Sequence, residues 1–173
     1  MLSKRFRFVF VAILIGYGIY LTGTEGLGRS WIAFLAALMM VLGHFWFGTV
    51  WAASKLIHKG ELEKAQRLLD DIRRPDFLLK KYRAEYYFMQ GVLSLYEKDL
   101  AKGETNLNRA LNIGLQSNNS RALAYLNLAH LCIVKNRFAE AKQYLNKGKE
   151  IEANLHVLKQ MEALEAKIAE QEN

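Results

Sequence analysis

Residues 31–51 form a run of 21 residues in which only His44 and Thr49 are clearly polar. At about 1.5 Å per residue, a helix of that length covers roughly 30 Å, the thickness of a bilayer's hydrocarbon core. A helix apolar on every side has no solvent face to offer an ordinary globular domain. Trp31 opens the run and Trp46 and Trp51 lie near its other end, where amphipathic rings favour the headgroup level. A second apolar stretch, 8–21, follows the basic start Lys4, Arg5 and Arg7. Its length alone would suit a signal peptide. However, 18–23 lacks a pair of small residues at cleavage spacing, so an uncleaved helix is expected. The expectation is a transmembrane hairpin over 1–51 with helices at about 8–24 and 31–51, followed by a second domain over 52–173. Ala12 with Gly16, and Ala33 with Ala37, are small residues four apart that would let the two helices approach closely. His44 is the one titratable side chain at that depth, with no acid or second histidine beside it to act as a relay.

The charge distribution suggests the orientation. The chain carries 24 Lys and Arg against 17 Asp and Glu, a net charge of +7. In 52–83 there are nine bases and five acids, whereas in 84–173 there are eleven of each. The excess thus flanks the apolar segments, as the bias of Lys and Arg toward cytoplasmic flanks predicts. It does not build the single basic face that nucleic acid requires, and no nucleic-acid partner is expected. The expected location is a bacterial inner membrane, with the chain integral to the bilayer and both termini cytoplasmic. Cys132 is the only cysteine, so no internal disulfide or thiolate metal cage is available.

After the apolar segments the sequence repeats. The small residues Ala65, Gly103 and Ala141 are spaced by 38 and 38, and a leucine follows each by four: Leu69, Leu107 and Leu145. Tyr87 with Gly91 and Tyr125 with Ala129 repeat an aromatic and a small residue at the same period. Such a pattern describes a helical hairpin, in which an aromatic fills the space between helices and small residues let the backbones meet. Two units over 84–112 and 121–149 are expected, preceded by a partial unit over 52–74. Projecting the period back from Gly91 reaches Ala53, so the apolar run is expected to continue as the first helix of the partial unit. Pro75 is expected in the first turn of a helix running to Glu97, and Ser120 as the cap of a helix over 121–135. Apolar residues at 151, 155, 158, 161, 164 and 168 give one greasy face to a closing helix over 150–170. The expected class is all-α.

The stretches 124–130 and 135–141, read as aromatic, leucine, small residue, polar turn, aromatic and alanine, resemble the tetratricopeptide repeat. The period here is 38 rather than the 34 of that family. The resemblance implies a short α-solenoid whose first helices line a concave groove for a peptide of a partner protein. Carried onto this chain, the groove residues are Glu85, Phe88, Val92, Leu95 and Tyr96 from one unit. The next unit supplies Leu123, Leu126, Asn127, His130 and Val134. Asn127 matches one position of the family's carboxylate clamp, but Glu85 and Met89 stand where that clamp tolerates neither, so no clamp is expected.

Nothing in the sequence suggests catalysis, a cofactor or a metal. The histidines His44, His58, His130 and His156 do not pair at helical spacing, and no nucleophile–base or phosphate-loop pattern occurs. The expected function is a membrane-anchored adaptor that binds another protein, with the lipid bilayer as its other partner. The alternative is a small structural or assembly subunit of a larger membrane complex, held through the hairpin.

Overall fold

The structure, a computed structural model, describes residues 16, 19, 20, 31, 35 and 49–172, and of His58, Gln171 and Glu172 the backbone alone. Packing divides the chain into two compact units, residues 1–49 and 50–173. Most of 8–24 and 31–51, including His44, lies outside the described residues. Gly16 is described, and a Cβ added there would meet nothing within 4 Å among the described residues, while Ala12, Ala33 and Ala37 lie outside them. The expected integral membrane location is corrected: among the described residues, no helix is long and apolar enough to cross a membrane.

The described part is all-helical. In chain order α1 (Thr49–His58) and α2 (Leu62–Asp70) precede a 3-10 turn (Pro75–Phe77). Then follow α3 (Lys80–Tyr96), α4 (Leu100–Ile113), α5 (Asn118–Val134), α6 (Phe138–Lys149) and α7 (Leu155–Glu172). Three apolar clusters hold the second unit together. One joins Val50 and Ala53 of α1, Ala65 and Leu69 of α2, and Met89 and Leu93 of α3. The next joins Tyr87 of α3, Leu107 and Ala110 of α4, and Leu128 of α5. The last joins Ala129 and Cys132 of α5, Ala141 and Leu145 of α6, and Val157, Met161 and Ile168 of α7. Helices α3 and α5 therefore each contribute to two clusters.

The repeated small residues are where the helices meet. Ala53, Ala65, Ala129 and Ala141 are fully buried, as are the repeated leucines Leu69, Leu107 and Leu145. The two glycines interlock across one hairpin. A Cβ on Gly91 would come within 2.7 Å of Leu107 Cγ, and one on Gly103 within 2.5 Å of Leu95 Cδ2. Each leucine fills the space the other helix's glycine leaves open.

The turns between paired helices repeat as well. Gly60, Lys98 and Asn136, 38 residues apart, adopt left-handed backbones with φ of 75°, 63° and 56°. Around each, two hydrogen bonds close the helix end. Gly60 N–H donates to the Ile57 carbonyl and Glu61 N–H to that of Leu56; Lys98 pairs likewise with Leu95 and Asp99 with Ser94; Asn136 pairs with Ile133 and Arg137 with Cys132. This is the Schellman closure, which reverses the chain while satisfying carbonyls that a helix end would leave open.

Three expected boundaries move. Pro75 opens the 3-10 turn rather than α3, because Leu78 and Leu79 are extended at ψ of 145° and 143° and break the helix between them. Ser117, not Ser120, caps α5: its hydroxyl accepts from Ser120 N–H at 3.2 Å. The closing helix begins at Leu155, not 150, because the Asn154 side chain accepts from the N–H groups of His156 and Val157 at the start of the helix. That register exposes Leu155 and buries Val157, which the periodicity had left out.

Two substitutions check this packing. Ala141→Leu overpacks the crossing of α5, α6 and α7 and lowers stability by about 1–3 kcal/mol in chemical denaturation. Lys98→Gly relieves a left-handed Lys and raises stability by roughly 0.5–1 kcal/mol, the gain being reduced by the greater freedom of glycine in the unfolded chain.

Candidate functional site

Eight of the ten residues expected in a groove fall in four pairs 38 residues apart on α3 and α5, namely Glu85 with Leu123, Phe88 with Leu126, Val92 with His130 and Tyr96 with Val134. Leu95 and Asn127 have no counterpart in the set. Tyr96 and Val134 end the two helices at matching positions and are 67% and 54% exposed, although both are large and apolar. His130, one turn before Val134, is exposed too. Phe88, Val92, Leu123 and Leu126 are half-buried, with part of each side chain against a core cluster. Leu95 belongs elsewhere: it lies over Gly103 and serves the contact between α3 and α4. Asn127 donates its side-chain amide to the Leu123 carbonyl of its own helix at 2.7 Å.

Glu85 is tied across the stack. Its carboxylate accepts from the Ser120 hydroxyl at 3.2 Å, linking α3 to the first turn of α5. Burial pushes its pKa upward, against the opposing effects of Ser120 and Lys81. No local pattern announces this pair, since 35 residues separate its members. Asn118 and Asn119 also reach across: Asn118 donates to the Glu152 carbonyl and Asn119 accepts from Asn154 N–H, fixing the link that leads into α7.

A second polar network was equally illegible. Glu104 on α4 accepts from Lys135 and Arg137, both at 2.6 Å, and Arg137 also pairs with Glu140. Lys135 and Arg137 flank the left-handed Asn136, so Glu104 holds the next hairpin's turn. Burial alone would raise the Glu104 pKa, but the hydrogen bonds from Lys135 and Arg137 outweigh it and hold the carboxyl below its ordinary value. Arg109 makes a similar tie on the other side. Its guanidinium lies 4.0 Å from the Tyr87 ring centroid and 3.4 Å from Asp76.

An open depression of about 670 Å³ is bordered by Asn118, Arg121, Tyr125, Lys147, Glu150 and Glu152. Two bases and two acids balance along it, so it favours no ionic ligand. Among the described residues, no group of three His, Cys, Asp or Glu could hold a metal. Cys132 is buried, and that burial raises its thiol pKa, away from the reactive thiolate. No family model matches the chain, and no curated protein or solved structure matches it.

The Glu104 network has a definite pH signature. A carboxyl with a depressed folded pKa stabilises the fold above its unfolded value, and that contribution is lost as pH falls through the folded value. Glu104→Gln therefore lowers stability by about 1 kcal/mol at neutral pH and low salt. Wild-type and variant denaturation curves converge as pH is taken down through and below the ordinary carboxylate range.

Proposed function

We propose that residues 50–173 are a protein-binding module, a short stack of helical hairpins of the tetratricopeptide kind. In this reading it takes a peptide segment of a partner protein along α3 and α5. The observation that carries the reading is the matched exposure of Tyr96 and Val134. A core position would bury both, and unrelated surface positions would not place two large apolar residues one repeat apart. The 38-residue recurrence of buried small residues and of the same left-handed turn supports the repeat architecture. Phe88, Val92, Leu123, Leu126 and His130 then extend the binding face toward the helix starts. Interface energy is concentrated in a few large anchors, and an exposed tyrosine is among the side chains best suited to be one.

The module acts as an adaptor and binds without transforming its partner. Glu85, partly withdrawn from water and held by Ser120, gives the face one polar landmark. The second reading, a complex subunit held through a membrane hairpin, has no observation among the described residues in its favour.

Tyr96→Ala tests the assignment. Partner capture by the full-length chain, measured by crosslinking in cells followed by affinity titration against the recovered partner, falls at least roughly tenfold, equivalent to about 1.4 kcal/mol. Stability stays within about 0.5 kcal/mol because the side chain is exposed. Undiminished capture would move the binding surface elsewhere on the protein.

A further inference from the structure

The linker between α2 and α3 exposes large apolar side chains that the stacking does not use. Phe77 is 71% exposed and Leu79 is 45% exposed, while Leu78 between them is buried against α1, α2 and α3. Leu78 thus pins the loop, and its extended backbone turns both neighbours outward. Around them stand four exposed bases, Arg73, Arg74, Lys80 and Lys81, with the Arg74 guanidinium 5.7 Å from the Phe77 ring centroid. The only acid between 73 and 81 is Asp76, and it is engaged: its carboxylate pairs with Arg109 and its carbonyl accepts from Arg83. Upstream, Asp70 accepts from Gln66 and Asp71 ends α2. The 17-residue helix α3 begins immediately after Leu79, a cap residue whose side chain supplies no hydrogen-bond acceptor. Its N-terminal dipole therefore adds to the local positive potential.

We infer that this loop is a peripheral docking site for an anionic lipid surface. Phe77 and Leu79 enter the interfacial region, and Arg73, Arg74, Lys80 and Lys81 pair with headgroup phosphates and carboxylates. The contact is made at the surface and needs no helix to cross the bilayer. Two apolar side chains that project between bases match a layer whose charge lies above its hydrocarbon. An acidic peptide would satisfy the bases through its carboxylates alone, and a nucleobase stacked on Phe77 would still leave Leu79 in water, whereas a lipid layer covers both apolar side chains.

The test uses the full-length chain with Phe77→Cys in a Cys132→Ser background, carrying a polarity-sensitive fluorophore at position 77. Circular dichroism first establishes that the labelled chain keeps its helices. Mixed phosphatidylserine–phosphatidylcholine vesicles should shift the emission to the blue, and phosphatidylcholine alone should not. Adding Arg73→Gln and Arg74→Gln should weaken the vesicle affinity read by this probe roughly thirtyfold. Raising the salt should weaken it as well. An emission unchanged by either vesicle, or shifted equally by both, overturns the proposal. So does a response to polyglutamate or RNA without one to anionic vesicles, which would make the loop a polyanion-binding site.

Discussion

The second unit depends on how closely its helices approach at a few side chains of minimal size. Gly91 and Gly103 admit Leu107 and Leu95 from the facing helix, and neither glycine could carry a methyl group without displacing a leucine. Buried alanines stand at the equivalent crossings on either side, Ala53 with Ala65 and Ala129 with Ala141. Once the backbones are that near, the repeated leucines have one place to go, and the clusters form around them. The clusters share α3 and α5, so a disturbance at one crossing reaches the next through a helix common to both.

Polar side chains then fix what apolar packing leaves free. A dry contact between helices sets their separation better than their register, because dispersion and burial are weakly directional. Directional bonds supply the register: Glu104 to the Asn136 turn, Arg109 to Tyr87 and Asp76, Ser120 to Glu85, and Asn118 and Asn119 to the link before α7. Each joins residues at least about a helix apart in sequence, and most span nearly one repeat.

That division explains what could be read from the sequence. Helical class and the buried small residues were legible because they recur with a period. The turn at Gly60 carried a glycine signal, whereas Lys98 and Asn136 adopt the same left-handed backbone with less revealing side chains. Pro75 misled because a proline that can open an α-helix can equally open a 3-10 turn, and only the extended Leu78 and Leu79 decide between them. Ser117 and Ser120 are both good caps, and the choice rests on where the chain leaves Gly114. At the proposed site, the exposure of Tyr96 and Val134 followed from the register of the repeat. The diversion of Leu95 onto Gly103 did not, since it depends on a packing partner in the other helix. The long-range ion pairs had no local signature at all.

The recurrence of one turn at Gly60, Lys98 and Asn136 also bears on how a chain of this design can change length. All three turns share the same torsional hand and the same pair of closing hydrogen bonds, and each is entered from one helix and left into the next. A recombination that joined the chain before one turn to the chain after the next would meet a compatible backbone and equivalent small residues at the crossings. Gain or loss of one whole 38-residue unit is therefore a smaller structural event than an insertion of a few residues within a hairpin, which would misalign a glycine and its leucine. Heredity can lengthen or shorten such a molecule in whole units, adding helix surface in proportion while leaving the existing joints intact.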